Sequence, residues 1–460
     1  MRRTTGSPID PKENRHAVTC EAVILGLMAF TALIVSVAAI RETKAGDSEV
    51  KPARTTSRGQ AAAVGQQELP SQEQFDRNWP AFRGPLGTGV VLGGQGYRAE
   101  WDAASGRNIL WKAKVPLPGH GSPIVWEDMV FVAGGNSEQR EVYCFDAASG
   151  ALRWNQAVGS PRRLDLASAS GFAPSTLVTD GQRVFSVFPT GDVAAFDFAG
   201  RRLWQTNLGT LKNAYGHASS LLTCRGRLII QLDQGDATGA SGSVLLALDA
   251  ATGQRVWQAS RPVFASWSSP ILAQLPAGAQ IITCGNPFVI AYDPESGKEI
   301  WRVRCLAREV TPSPVAANGF VYACNQGATL VAIRPGGQGD VTDSHIAWRL
   351  EEGLPDIVSP LVTGDLVFMV TTAGTITCCD ARDGRFIWDH DLEVEVKASP
   401  ALVGQRIYLL DTAGVMHILE AGRAFKEIAR ATLAEECIAS PAFAANRIYI
   451  RTKEHLVCVE

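Results

Sequence analysis

An internal repeat constrains the fold of this chain more than any other feature of its sequence. One complete copy runs from Ser359 to Asp391 and reads SPLVTGDLVFMVTTAGTITCCDARDGRFIWDHD. It begins with a Ser-Pro marker and contains four short apolar runs separated by turns rich in Gly and Asp. Such turns supply the positive φ that tight hairpins need, and no run is long enough for a helix. Each copy is therefore predicted to form a four-stranded antiparallel meander.

The repeat occurs eight times, and its markers are Pro123, Pro174, Ser220 (where Ser takes the place of Pro), Pro270, Pro314, Pro360, Pro400 and Pro441. Their spacing ranges from 40 residues, between Pro360 and Pro400, to 51 residues, between Pro123 and Pro174. This is the period of a β-propeller blade. A four-stranded blade can bury both of its faces only by stacking against neighbours around an axis. We therefore predict an all-β, eight-bladed β-propeller.

The two ends of the repeat array complement each other. The last copy, residues 440–460, contains only three predicted strands, and a strand without a partner, residues 108–115, precedes the first marker. Pairing these strands would close the ring between an N-terminal strand and the C-terminal blade. It would also remove sheet edges that are otherwise open to aggregation.

Most copies end in a tryptophan that follows an acid and a Gly turn, as in DAASGALRW (146–154) and DARDGRFIW (380–388). A large aromatic side chain at one fixed place in a repeat is typical of packing between neighbouring blades rather than of catalysis. The predicted structural tryptophans are Trp111, Trp154, Trp204, Trp257, Trp301, Trp348 and Trp388.

Three segments precede the propeller, which we assign to residues 79–460. Residues 1–17 form a polar tail, and residues 18–40 contain 19 consecutive uncharged residues, 22–40, enough to span a bilayer as a helix. We interpret this segment as a single-pass transmembrane signal anchor; a signal peptide cleaved after residues 37–39 is the alternative. Residues 41–78 carry almost no large apolar groups and are predicted to be a flexible tether. The propeller would then lie at the cell membrane, in the periplasm or otherwise outside the cytoplasm.

Composition and cysteine spacing exclude several functions. The formal net charge of -3 provides no basic field for nucleic acid, so we predict no such partner. The ten cysteines include no Cys-x-x-Cys pair, and we predict no metal site. Cys378 and Cys379 are adjacent, but on a predicted strand their side chains point to opposite faces, which disfavours a disulfide between them.

The unit of acid, Gly turn and Trp, as in DAATGQRVW (249–257), resembles the repeat of PQQ-like β-propeller proteins over nearly all of residues 101–460. The leader NWPAFRGPLGTG (78–89) further resembles the PQQ-like repeat proteins of planctomycete-type bacteria. This quinoprotein alcohol dehydrogenase-like superfamily includes dehydrogenases that carry pyrroloquinoline quinone (PQQ) over Ca²⁺. It also includes the cofactor-free propeller lipoprotein of the outer-membrane β-barrel assembly machinery.

Two functions follow from this resemblance. The first is a non-enzymatic binding or scaffold module in envelope protein assembly, with no catalytic residue and no cofactor. The second is a PQQ-dependent quinoprotein dehydrogenase with PQQ and Ca²⁺. The resemblance implies that such enzymes have an Asp or Asn at the metal and, in many, an adjacent-cysteine disulfide near the quinone. No residue here matches that metal site, and Cys378 and Cys379 lie in a third strand. The first function is favoured.

The predicted binding site is the mouth of the central channel, where the loops between consecutive blades open. Three places before the markers the chain has His120, Gly171, His217, Trp267, Thr311, Ile357, Lys397 and Ile438. These side chains differ from blade to blade, as a specific pocket requires. We therefore predict that a protein or a small molecule binds at the channel mouth, through His120, His217, Trp267, Glu309, Asp356, Lys397 and Glu436.

Overall fold

The computed structural model describes residues 70–94, 96–159, 171–235 and 242–460. Within these ranges the chain forms 34 strands and two short helices, α1 (Gln72–Arg77) and α2 (Thr342–His345). Two of the strands precede the first repeat, β1 (Val90–Val91) and β2 (Ile109–Lys114).

The remaining strands form blades, which are numbered along the chain. Blade 1 contains β3 (Ile124–Trp126), β4 (Met129–Gly135), β5 (Arg140–Asp146) and β6 (Leu152–Ala157). Blade 2 contains β7 (Val178–Thr179), β8 (Arg183–Val187), β9 (Asp192–Asp197) and β10 (Arg202–Asn207). Blade 3 contains β11 (Leu222–Cys224), β12 (Arg227–Leu232), β13 (Val244–Asp249) and β14 (Arg255–Ser260). Blade 4 contains β15 (Ile271–Leu275), β16 (Gly278–Gly285), β17 (Phe288–Tyr292) and β18 (Glu299–Arg304).

Blades 5 to 8 follow the same plan. Blade 5 contains β19 (Val315–Ala317), β20 (Phe320–Cys324), β21 (Leu330–Ile333) and β23 (Ile346–Leu350); β22 (Gly339–Asp340) joins blade 4 instead. Blade 6 contains β24 (Leu361–Val362), β25 (Leu366–Val370), β26 (Thr375–Asp380) and β27 (Phe386–Asp391). Blade 7 contains β28 (Ala401–Val403), β29 (Arg406–Leu410), β30 (Val415–Glu420) and β31 (Glu427–Thr432). Blade 8 contains β32 (Ala442–Ala444), β33 (Arg447–Arg451) and β34 (His455–Val459), and its fourth strand is β2.

The strands form eight sheets, and in each of them the four strands of the blade are arranged as an antiparallel meander. The predicted all-β, eight-bladed propeller is confirmed. In blade 8, β2 pairs antiparallel with β34, so that Trp111 lies opposite Cys458. The last blade thus contains strands from both ends of the array.

The hydrophobic core lies between neighbouring blades. Clusters of buried side chains combine residues of two consecutive blades, such as Phe185 of blade 2 with Leu246 of blade 3. All five residues of β25 are buried, whereas the outer strand β14 alternates between exposed and half-buried residues. The alternation reflects the two-residue period of a strand that covers the core with one face only.

A closed circle of hydrogen bonds surrounds the channel. In every blade a Ser or Thr lies two residues before the first strand. Its hydroxyl accepts a hydrogen bond from the backbone N–H of the corresponding residue in the preceding blade. The donor–acceptor distances lie between 2.8 and 3.1 Å, and the ring residues are Ser122, Thr176, Ser220, Ser269, Ser313, Ser359, Ser399 and Ser440. All eight are buried. We call them the hydroxyl ring.

Six of the seven predicted structural tryptophans reach the next blade. Their indole N–H groups donate to a backbone carbonyl in the turn that follows the third strand of that blade, at 2.9 to 3.2 Å. In five of the six turns the glycine lies against the indole: a Cβ added to Gly384 would be 2.4 Å from Trp348. At Gly150, Gly200, Gly253, Gly297 and Gly384, Gly is thus needed both for its positive φ and for the space that the tryptophan occupies, whereas a Cβ added to Gly422 of blade 7 would not touch Trp388.

Trp301 is the exception, because its indole N–H donates to Gln280 of its own blade at 3.0 Å. The corresponding turn of blade 5 carries a long insertion. Part of that insertion, β22, pairs with β18 and places Gly339 beside Trp301, which is fully buried. The insertion thus covers the tryptophan instead of providing a carbonyl to which it could donate.

The leader, residues 78–94, packs on the first strands of several blades. Trp79 and Val125 exchange two backbone hydrogen bonds of 3.0 and 2.9 Å, and the amide of Leu402 donates to the carbonyl of Gly89 at 2.8 Å. The buried Arg83 guanidinium donates to the carbonyl of Pro360 at 2.6 Å. The leader thus contacts residues that follow the ring hydroxyl of their blade in sequence: Val125, Pro360 and Leu402. It therefore lies on one side of the hydroxyl ring, and the residues that precede the ring hydroxyls lie on the other.

The predicted polar tail and transmembrane anchor, residues 1–40, and most of the predicted tether lie outside the described residues. Among the residues that are described, no helix is long and apolar enough to cross a bilayer. The described end of the predicted tether contains α1, which begins with a capping box between Ser71 and Gln74. Phe75 of this helix packs edge-on against Trp126 of blade 1, with ring centroids 5.1 Å apart. This contact docks residues 72–77 on the propeller.

Candidate functional site

The hydroxyl ring defines the register of the repeats more reliably than the Ser-Pro marker does. The first strand of each blade begins two residues after its ring hydroxyl, as Ile124 follows Ser122. In blades 2 and 3 the ring residues are Thr176 and Ser220. The prediction that Pro174 and Ser220 are equivalent to the marker prolines is therefore wrong. Neither blade has a Ser-Pro pair at the ring. The predicted marker lies three residues before the equivalent position in blade 2 and one residue before it in blade 3.

With this register, one residue of each blade lines a cavity at the channel mouth. The cavity has a volume of about 730 Å³. The residues two places before the hydroxyl ring all contribute to its wall: His120, Pro174, Ala218, Trp267, Thr311, Ile357, Lys397 and Ile438. Each is half-buried or exposed, whereas the residue after it is buried. The alternation arises because the chain is extended as it approaches the first strand.

Five of the seven predicted binding residues lie together in this wall: His120, Trp267, Glu309, Asp356 and Lys397. Tyr215, Arg308 and Gln326 complete it. Glu436 lies outside the wall, where its carboxylate pairs with the ammonium of Lys453 at 2.8 Å. His217 also lies outside, because in the corrected register it is three places before the ring rather than two.

His217 occupies a position that is buried in most of the blades, and it is itself 4% exposed. Burial lowers the pKa of its imidazole to about 4, although a backbone hydrogen bond at Ser219 partly opposes this effect. The Nε2 atom has no hydrogen-bond partner among the described residues. In the folded protein, His217 is therefore a neutral side chain within the scaffold.

An aromatic corner forms one side of the cavity. The rings of Tyr215 and Trp267 meet edge to face, with centroids 5.1 Å apart and an interplanar angle of 67°. The indole N–H of Trp267 donates to the carbonyl of Gly216 at 3.1 Å, and its backbone amide donates to Val310 at 2.8 Å. These bonds to loops of two other blades hold Trp267 in place, so the corner is preformed.

The opposite side, contributed by blades 5 to 7, is polar. The ammonium of Lys397 lies 2.8 Å from the carboxylate of Glu395, and this contact lowers the pKa of Glu395. The amide and hydroxyl of Thr372 donate to Asp356 at 3.0 and 2.6 Å. The cavity thus combines an aromatic wall with a hydrogen-bonded, charged wall.

A second depression of about 580 Å³ adjoins the cavity and shares Gln326 and Asp356 with it. Glu393 and Glu395 provide its other charged groups. We call this depression the acidic groove. Gln326 and Asp356 thus form a wall that both spaces share.

The cavity wall does not fit the Ca²⁺ of a quinoprotein dehydrogenase. Ca²⁺ takes six to eight oxygen ligands. The wall has only two carboxylates, Glu309 and Asp356, and Asp356 is already engaged by Thr372. No group of three potential metal-ligating side chains occurs among the described residues. Cys378 and Cys379 are buried as free thiols in two different core clusters, so their side chains lie on opposite faces of β26.

Sequence reasoning missed Pro174, Ala218, Arg308 and Gln326 in the cavity wall. The first two were hidden by the shift in blades 2 and 3. A search for a buried hydroxyl two residues before each strand would have corrected it, because Thr176 and Ser220 satisfy that pattern. Arg308 and Gln326 lie in loops that vary between blades, and no periodic signal marks them.

Comparison with known proteins supports this fold. The model of the family described as outer membrane protein assembly factor BamB matches residues 78–242, 240–371, 339–426 and 373–459. A BamB of Bordetella pertussis is 27% identical over 250 residues, which cover 52% of this chain and 58% of that protein. A BamB of Salmonella typhimurium is 23% identical over 278 residues, 47% of this chain and 66% of that protein. The chain thus spans less than two thirds of either relative.

Solved structures agree in fold. The crystal structure of BamB from Moraxella catarrhalis has a TM-score of 0.56 at 17% identity and covers 76% of this chain and 97% of that one. A europium-containing methanol dehydrogenase has a TM-score of 0.59 at 11% identity, with coverages of 82% and 90%. At these identities the likeness concerns the fold alone. The resemblance to PQQ-like propeller repeat proteins is confirmed. Since the family model covers residues 78–459 with overlapping matches, the chain belongs to the outer membrane protein assembly factor BamB family.

Proposed function

We propose that this propeller is a non-enzymatic binding module that holds a polypeptide at its channel mouth during the assembly of outer-membrane proteins. The convergence of eight side chains on one cavity, one from each blade, is the observation that carries this proposal. The names of the BamB relatives support the cellular context.

The contrast between the cavity wall and the hydroxyl ring supports a binding role. Ring positions repeat one chemical group, as a scaffold requires, whereas cavity positions present side chains that range from Pro and Ala to His, Trp and Lys. The cavity volume of about 730 Å³ falls within the usual range for ligand sites, about 300 to 1,000 Å³. The mouth is therefore large enough for a few side chains of an extended peptide.

The location of the propeller is part of the proposal. Residues 18–40 would act as a single-pass signal anchor that holds it outside the cytoplasm, with residues 22–40 in the membrane. Fractionation of cells that express the chain with and without residues 1–40 tests this. We expect the full chain in the membrane fraction and the shortened chain in the cytoplasm. A soluble, cytoplasmic full-length protein would contradict it.

We further propose that β2 is the strand that closes the propeller. The antiparallel pairing of Ile109–Lys114 with β34 supports this, as does the hydrogen bond of 3.0 Å from the Trp111 indole to Ala147 of blade 1. The same strand thus completes blade 8 and contacts blade 1.

Binding can be tested with a purified, urea-unfolded outer-membrane β-barrel protein that carries a fluorescent label. Anisotropy should show binding to the propeller after dilution of the urea. A variant with His120→Ala, Trp267→Ala and Lys397→Ala should bind at least about tenfold more weakly, since loss of an anchoring aromatic side chain costs about 2 kcal/mol or more.

The matched control carries Leu152→Ala and Val256→Ala, two exposed side chains on outer strands that are 47% exposed each. It should bind like the unmodified protein. Equal affinity of the cavity variant and the control would show that the channel mouth is not the binding site.

A further inference from the structure

Charge is distributed unequally around the channel mouth. Blades 1 to 4 contribute His120, Pro174, Tyr215, Ala218 and Trp267 to the cavity wall, and no carboxylate or ammonium group lies among them. The charged residues of the cavity and the acidic groove all belong to blades 5 to 7. They comprise four carboxylates and two cations: Glu309, Asp356, Glu393, Glu395, Arg308 and Lys397.

Carboxylates outnumber cations in the acidic groove. Lys397 is paired with Glu395, so Asp356 and Glu393 are the two carboxylates of the acidic groove that no cation of the cavity wall or groove neutralises. The exposed residues Glu351 and Glu352 precede Asp356 in the same loop and add to the negative field. Arg308 lines the cavity and not the groove, so it provides a polar contact there without neutralising the groove.

We propose that the bound segment is an extended peptide in which an aromatic side chain is flanked by basic side chains. This inference rests on the proposed function and specifies its ligand. The aromatic side chain would pack into the corner of Tyr215 and Trp267, where edge-to-face contacts are available. Its basic neighbour would lie in the acidic groove near Glu393, and opposite charges there would also accelerate the encounter.

The proposal requires an extended chain, because its residues advance by about 3.3 Å each and it can place side chains on both sides of the wall that Gln326 and Asp356 form. A side chain can enter the cavity while the next ones reach across the shared wall of Gln326 and Asp356 into the groove. Aromatic and basic groups are thus both needed, and neither a purely apolar nor an acidic segment uses both spaces.

Three fluorescein-labelled, amidated pentapeptides test this: Gly-Lys-Trp-Lys-Gly, Gly-Glu-Trp-Glu-Gly and Gly-Lys-Ala-Lys-Gly. We expect the first to bind about tenfold or more tightly than either of the others, because it gains both the aromatic contact and the charge pairing. Its affinity should fall as salt is raised, since Glu393 and Glu395 are exposed and their charges are screened by salt.

A double variant with Asp356→Asn and Glu393→Gln should weaken the basic aromatic peptide by about threefold to tenfold and leave the acidic one unweakened. Asp343→Asn with Asp389→Asn removes two exposed carboxylates elsewhere and is the control of equal charge change. Glu393→Lys, at an exposed side chain, provides a second variant should the loss of the Asp356 contact with Thr372 disturb the loop.

The outcomes separate this inference from the proposed function. If the basic and acidic aromatic peptides bind equally, or if the groove variants bind the basic peptide unchanged, the charge preference is refuted while capture at the mouth stands. If no pentapeptide binds although the unfolded β-barrel protein still does, the inference is refuted alone. If neither peptide nor protein binds, both proposals fail.

Discussion

Every blade contributes one residue to the hydroxyl ring and, two places earlier in sequence, one residue to the cavity wall, yet the two sets differ in burial and in chemistry. Every ring position has the same group, a buried hydroxyl that accepts a hydrogen bond from a backbone amide of the preceding blade. The wall presents a different side chain in nearly every blade, and each of these side chains is half-buried or exposed. Ser313 and Thr311 of blade 5 show both behaviours in one short segment.

Under the proposed function, this difference separates the residues that stabilise the propeller from those that bind a ligand. A ring position must satisfy the same neighbouring amide in every blade, so its chemistry is fixed by the scaffold. A wall position faces open space and is free to suit a ligand. Substitutions in the two sets should therefore have opposite effects, with lost stability and retained binding for the ring, and the reverse for the wall.

The largest expected effect breaks the scaffold that holds both sets. A chain that begins at residue 116 lacks β2 and Trp111, so blade 8 has an open edge and blade 1 loses its aromatic neighbour. We expect aggregation, or a Tm lower by roughly 10 °C or more than that of a chain that begins at residue 70.

In the chain from residue 70, Trp111→Ala removes only this side chain and its contact with blade 1. The substitution should lower the free energy of unfolding by about 3 to 5 kcal/mol. Thermal unfolding followed by circular dichroism measures all three proteins. Equal Tm values for the chains from residues 70 and 116 would show that the ring does not depend on β2.

The next effect concerns His217, which sequence reasoning placed in the wall and the structure places in the scaffold. Its folded-state pKa of about 4 lies below the usual histidine value of 6.5, so the unfolded chain takes up a proton first as the pH falls. Its contribution to stability is therefore intact above pH 6.5 and is lost progressively down to about pH 4, by roughly 3 kcal/mol at most. Urea unfolding of His217→Gln should show a flatter pH dependence across this interval. An unchanged slope would contradict burial of the neutral ring.

A smaller effect sharpens the comparison within blade 5. Ser313→Ala removes the acceptor of the Ser269 amide, whose distance is 3.0 Å, and leaves a buried N–H without a partner. We expect a loss of about 1 to 3 kcal/mol. Thr311→Ala, two residues earlier and half-buried in the wall, should change stability by less than about 0.5 kcal/mol. Equal losses for both variants in urea unfolding would remove the distinction between ring and wall.

The sequence predicted the blades because their signals repeat. Acid, Gly turn and Trp recur at a fixed spacing, and each has a structural reason that can be read from one copy. The exceptions arose where one blade departs from the pattern. Trp301 donates to Gln280 because the insertion that contains β22 replaces the usual turn of the next blade. A single irregular turn leaves no periodic signal of the contact that replaces it.

The location of the cavity was predictable from the sequence, but the residues that line it were less so. Loops before the first strands had to meet at the mouth, and this alone placed His120, Trp267 and Lys397 correctly. Ala173-Pro174 resembles a marker, but the hydroxyl of blade 2 is Thr176, which only the hydrogen-bond circle reveals. A shift of one residue in the register decides whether a side chain lines the cavity. For this reason Ala218, and not His217, lies in the wall.

The central claim, that the wall of the mouth contacts a bound polypeptide, can be measured most directly by photocrosslinking. Benzoylphenylalanine is placed at Ile357 in the cavity wall or at Val256 on an outer strand; these side chains are 38% and 47% exposed, so both reach solvent. Each purified protein is illuminated with the labelled, unfolded outer-membrane β-barrel protein. We predict a crosslinked product at Ile357 that excess unlabelled β-barrel protein abolishes, and little or none at Val256. Equal crosslinking at both positions, or crosslinking at Val256 alone, would contradict a binding site at the channel mouth.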